Sequence, residues 1–73
     1  MDNAQSELLV ERLIRVDEVK RLTGLSTATL YRKISAKEFP RPVRLGANAC
    51  AWPLSEVQAW IAERIERRGG SND

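Results

Sequence analysis

Two short stretches of helical periodicity are joined by nothing more than Gly24-Leu25. That link limits what the chain can become. Val19 and Leu22 lie three apart on one side of a helix predicted over 17–23, with Glu18, Lys20 and Arg21 toward water. Asp17 offers that helix an N-cap, and Gly24 can take the left-handed conformation that ends it without strain. Ser26 is the next N-cap, flanked by Leu25 and Leu30 at the two positions of a hydrophobic staple. A second helix follows over 26–36, with Leu30 and Ile34 stacked on its inner face. So short a link fits a helix-turn-helix better than an antiparallel helical hairpin.

The flanks extend this frame. Leu8 to Val16 is apolar and β-branched enough for a short strand or extended lead-in. Phe39-Pro-Arg-Pro42 is barred from helix by its two prolines. Val43-Arg-Leu45 and Ala49-Cys-Ala-Trp52 flank Gly46-Ala-Asn48, which reads as a β-hairpin over 43–52. Val43 and Leu45 share one side of it and Arg44 takes the other. A basic hairpin directly after the second helix of such a pair is a wing. Ser55-Glu-Val-Gln58 has the form of a capping box and opens a helix over 55–68. Val57, Trp60, Ile61 and Ile65 form its apolar stripe, Arg64, Arg67 and Arg68 suit its C-terminal dipole, and Gly69-Gly70 ends it.

The expected fold is therefore mainly α with a small β-hairpin, a winged helix-turn-helix. The domain spans 11–68, between a disordered tail at 1–10 and a flexible tail at 69–73. Its candidate core is Val19, Leu22, Leu25, Leu30, Ile34, Phe39, Val43, Leu45, Trp52, Leu54, Val57, Trp60, Ile61 and Ile65. Both tryptophans are read as structural.

Composition excludes several functions. The chain has 73 residues, no His and a single cysteine, Cys50. It has no internal disulfide and no Cys/His zinc site, and Cys50 is expected as a small apolar residue in a reducing compartment. No cofactor or metal is expected. No nucleophile–base pair, phosphate-cradling glycine loop or carboxylate cluster speaks for an enzyme. No run reaches the roughly 18 apolar residues of a membrane span, and the polar, acidic start is unlike a secretory signal. The expected location is the bacterial cytoplasm, on the nucleoid.

Charge is unevenly placed. Residues 24–53 carry Arg32, Lys33, Lys37, Arg41 and Arg44 against Glu38 alone, whereas the whole chain is only +2. A basic field focused on the second helix and the wing attracts a polyanion, and in a helix-turn-helix that polyanion is double-stranded DNA. Arg32, outward at mid-helix, is the best candidate for a base contact, because its fork fits guanine O6 and N7. Thr27 and Thr29 suit phosphate or thymine-methyl contacts. Ser26 is a cap that also sits where a phosphate binds. Tyr31 places either its hydroxyl on a phosphate or its ring on the core. Lys33 and Lys37 are electrostatic, and Arg41 and Arg44 belong to the wing.

Leu13-Ile-Arg-Val-Asp-Glu-Val, Thr23-Gly-Leu-Ser, Thr29-Leu-Tyr-Arg, Phe39-Pro-Arg-Pro-Val-Arg-Leu-Gly46, Trp52 and Ser55-Glu-Val-Gln-Ala-Trp-Ile61 follow one another in order. This succession, from about residue 13 to 65, resembles the AlpA family of small phage- and prophage-associated DNA-binding regulators. That family is related to excisionases and to the MerR-like winged-helix group. The resemblance implies transcription regulation of mobile-element genes. The alternative it implies is an excisionase that bends DNA and contacts an integrase through helix 55–68. Candidate protein partners are thus an integrase or RNA polymerase. A single small module buries little DNA, so cooperative self-association on repeated sites is expected. Where the family usually carries Arg in the wing turn, this chain has Asn48. Asn48 is expected either to donate to a phosphate or to serve as a left-handed turn residue.

Overall fold

The computed structural model describes residues 11–71. The tail expected at 1–10, and residues 72–73, lie outside them. In chain order the elements are β1 (Leu13–Ile14), α1 (Val16–Thr23), α2 (Thr27–Ser35), β2 (Val43–Gly46), β3 (Ala49–Pro53) and α3 (Leu54–Ser71). The strands form an antiparallel sheet of order β1-β3-β2, with Ile14 opposite Trp52 and Val43 opposite Ala51. Three helices and this small sheet make the expected winged-helix-type fold.

The turn between α1 and α2 has a clear local cause. Gly24 sits at φ 79°, ψ 7°, and its N–H donates to the Lys20 carbonyl at 2.7 Å. The Thr23 hydroxyl donates back to the Val19 carbonyl at 2.8 Å and accepts from the Leu25 N–H at 3.2 Å. One side chain thus satisfies a group on each side of the turn. Leu25, as the staple position requires, packs against the core.

Helix boundaries differ from expectation at three ends. Asp17 is not the N-cap of α1. That place is taken by Arg15, extended at φ −89°, ψ 172° and with no side-chain cap, which leaves Asp17 and Glu18 in the first turn facing the helix dipole. The Ser55–Gln58 capping box does not open α3 either. The helix begins at Leu54, whose N–H donates to the Arg12 carbonyl at 2.7 Å. The Ser55 N–H and hydroxyl both donate to the Glu11 carboxylate. Pairing of β1 with β3 brings residues 11–12 against the start of α3, so acceptors from the lead-in satisfy its free amides. At its far end α3 continues through Gly69 and Gly70 to Ser71 rather than stopping at 68. Glycine weakens a helix without forbidding it.

Ile14, Val19, Leu30, Phe39, Trp52 and Val57 form the buried cluster, with Val16, Leu25, Ile34, Cys50, Leu54, Trp60 and Ile61 packed against it. Four expected core residues are exposed instead: Leu22 at 42%, Val43 at 42%, Leu45 at 50% and Ile65 at 55%. Val43 and Leu45 belong to an edge strand, all four of whose residues are exposed. Residues opposed in an antiparallel pair share a face. Val43 therefore goes with Ala51, and it is Arg44 that shares the face of Cys50 and Trp52.

Candidate nucleic-acid interface

The outer side of α2 is organised by its own hydrogen bonds. The Ser26 hydroxyl caps the helix by accepting from the Thr29 N–H at 3.2 Å, and it donates to Thr29 Oγ1 at 3.0 Å. Thr29 Oγ1 also accepts from Arg32 Nη2 at 3.3 Å. Residues 26, 29 and 32 are spaced by three and therefore lie along one line of the helix. The three side chains form a continuous exposed track, with Thr29 half-buried within it. Thr27 is exposed in the first turn of α2.

Of the two roles expected of Tyr31, the structure shows the packing of its ring. Its ring meets Trp52 edge-on, with centroids 6.4 Å apart, yet the residue remains 41% exposed. This contact ties α2 to the sheet. The Trp52 face of β3 looks toward α2; Cys50, two residues earlier, shares that face, and Arg44 stands opposite Cys50. Arg44 thus projects from the side of the sheet that carries the helix.

The connector between α2 and β2 is held by both indoles. Trp52 Nε1 donates to the Pro40 carbonyl at 2.9 Å and Trp60 Nε1 to the Glu38 carbonyl at 2.7 Å. Phe39 packs edge-on against Trp60 at 4.9 Å, and the Arg64 guanidinium lies 4.6 Å from the Trp60 ring centre. Both tryptophans are structural, as expected. An indole N–H that is taken out of water needs an acceptor, and the carbonyls around the prolines supply it. The exposed Arg41 is carried on this fixed connector.

Two candidates are placed differently. Lys33, half-buried, is drawn toward the C-terminal end of α2 by its pairing with Glu38 at 3.8 Å. Asn48 is exposed in the wing turn but is not left-handed: Lys37, at φ 63°, is the one described non-glycine residue with positive φ. A two-residue turn closed over a register irregularity between Arg44 and Gly46 does not need a left-handed Asn. Among the described residues, no acidic side chain pairs with Arg32, Arg41 or Arg44. The apolar stripe of α3 is spent largely inside the molecule: Val57 is buried, Trp60 and Ile61 pack on the core, and Ile65 is the member left exposed. No helix among the described residues is long and apolar enough to cross a membrane.

Sequence reasoning missed the internal bonding of the track. Thr29 and Arg32 were legible as candidate contacts and Ser26 as a cap, but not as partners of one another. It also missed Glu11, which forms no part of the interface but fixes the helix behind it.

The chain is similar in sequence to known proteins. A protein of Enterobacteria phage P4 named "Uncharacterized protein ORF88" is 48% identical over 62 residues, covering 85% of this chain and 70% of that protein. The "DNA-binding transcriptional activator AlpA" of Escherichia coli (strain K12) is 28% identical over 61 residues, covering 75% of this chain and 87% of that protein. No solved structure matches. The family described as Prophage CP4-57 regulatory protein (AlpA) matches residues 12–65, nearly the whole described fold, and the chain belongs to that family.

Proposed function

We propose that this chain is a sequence-specific double-stranded-DNA-binding transcription regulator of a phage or mobile element. In this reading α2 enters the major groove and the wing lies along the adjacent backbone. The observation that carries it is the Ser26–Thr29–Arg32 track, exposed, basic, and on the side of the molecule to which Arg44 also projects. The name of the Escherichia coli relative supports it. Arg32 reads a guanine edge. Thr27, Arg41, Arg44 and Asn48 contact backbone phosphates, as does the Tyr31 hydroxyl at the edge of the track. Ser26 presents the amide end of α2 to a phosphate, and Lys33 adds long-range charge.

The test is equilibrium binding to a duplex enriched from a random pool by the full chain. Arg32→Ala is expected to keep the fold and to weaken binding to the enriched duplex by roughly 1–3 kcal/mol. Arg44→Ala is expected to weaken all duplexes alike and to lower the salt dependence by about one phosphate contact. Unchanged affinity in Arg32→Ala contradicts the assignment of α2 as the reading helix.

A further inference from the structure

Thr29 and Arg32 both face outward, yet their hydrogen bonds assign them unequal roles. A threonine hydroxyl offers two lone pairs and one hydrogen. Both lone pairs of Thr29 Oγ1 are occupied, one by the Ser26 hydroxyl at 3.0 Å and one by Arg32 Nη2 at 3.3 Å. The Ser26 hydroxyl is itself anchored by the Thr29 N–H at 3.2 Å. The chain of contacts therefore starts at the rigid first turn of α2 and ends on the guanidinium.

We propose that Thr29 is a positioning residue for Arg32, so that DNA recognition by α2 depends on the Thr29 hydroxyl through the arginine rather than through a contact of its own. This rests on the reading of α2 as a DNA-reading helix. A free arginine loses much side-chain freedom when it is fixed against a base. A hydroxyl that already holds Nη2 removes part of that loss before DNA arrives. The restraint costs no recognition capacity. Each guanidinium can form a fork either from Nε and Nη2 or from Nη1 and Nη2. With one Nη2 hydrogen on Thr29, the second Nη2 hydrogen still completes one of these two forks for guanine O6 and N7. Ser26 secures the far side of Thr29 and so sets the direction in which its lone pair faces Arg32.

A double-mutant cycle decides the matter, using the full chain and the duplex it enriches from a random pool. Thr29→Val keeps the shape and the β-branch but removes the hydroxyl. Thr29→Ser keeps the hydroxyl. With Arg32 present, Thr29→Val is expected to weaken binding about fivefold, the loss of one hydrogen bond, while Thr29→Ser stays within about twofold of the unsubstituted chain. In the Arg32→Ala background, Thr29→Val is expected to cost nothing further. The salt dependence is expected to be the same in the Thr29 variants, because no phosphate contact is lost. An equal loss from Thr29→Val in both backgrounds overturns the proposal and makes Thr29 a direct contact. No loss in either background also overturns it. The reading of α2 stands apart from both results, because it falls only if Arg32→Ala binds as well as the unsubstituted chain. Thermal unfolding of each variant confirms that the fold is retained.

Discussion

Lys37 holds a left-handed backbone at φ 63°, a conformation that glycine adopts freely and lysine does not. It is there because α2 ends in a six-residue C-terminal lock. The Glu38 N–H donates to the Lys33 carbonyl at 2.8 Å and the Lys37 N–H to the Ile34 carbonyl at 3.0 Å. The Lys33–Glu38 ion pair spans the same lock where an apolar contact is usual. Replacing Lys37 by Gly relieves the strain and is expected to raise stability by about 0.5–1 kcal/mol, read from the urea midpoint at unchanged slope. A lower midpoint would show that the lysine charge at the helix end outweighs the strain. The contrast with Gly24 explains what the sequence discloses at this scale. Gly24 was legible because glycine between two amphipathic stretches has a single physical use. Lysine carries no turn signal, so Lys37 was invisible, and Asn48 carried a turn signal that its turn does not use.

At the scale of elements, strand and helix types were legible, and both ends of α3 and the start of α1 were not. The capping of α3 shows why. Its first-turn donors are met by Glu11 and the Arg12 carbonyl, from a segment 44 residues distant in sequence in the case of Ser55. A local pattern such as Ser55-Glu-Val-Gln58 competes with that partner and loses, because β1–β3 pairing delivers a carboxylate to the same donors. The Ser55 hydroxyl, and then its N–H, hold the Glu11 carboxyl below the usual glutamate range. A carboxyl lowered by folding stabilises the fold above its ordinary pKa, and that contribution is lost as pH falls through the lowered value. Unfolding midpoints measured on either side of the glutamate range should therefore fall more on acidification in the unsubstituted chain than in Glu11→Gln. Parallel losses in the two proteins would mean that the cap adds nothing. The wing hairpin was legible, but the burial of its first strand was not. Val43 and Leu45 sit on an edge strand whose four residues are all exposed, and the register irregularity between Arg44 and Gly46 breaks the simple alternation there.

In the whole molecule, one small core has to hold three helices and a sheet. Leu30 is fully buried at the centre of α2, with Val19 of α1, Trp52 of β3 and Val57 of α3 in the same cluster. Leu30→Ala is expected to cost about 2–5 kcal/mol and to lower Tm by about 10 °C or more. A smaller drop would show that the site collapses around the missing side chain. The same core sets the interface, because Tyr31 against Trp52 and both indoles on the connector hold α2, Arg41 and Arg44 in one frame. The overall architecture was legible because each element announced itself by period and by glycine or proline punctuation. The bonding within the site was not, because it depends on side-chain geometry that spacing alone does not specify. The central claim, that α2 and the wing together face DNA, is tested most directly by amide chemical-shift changes when the labelled protein is titrated with an enriched duplex. Changes are expected to concentrate at 26–33 and 41–48, with the outer turns of α3 unmoved. Changes centred on 61–68 instead, or none at all, would contradict it.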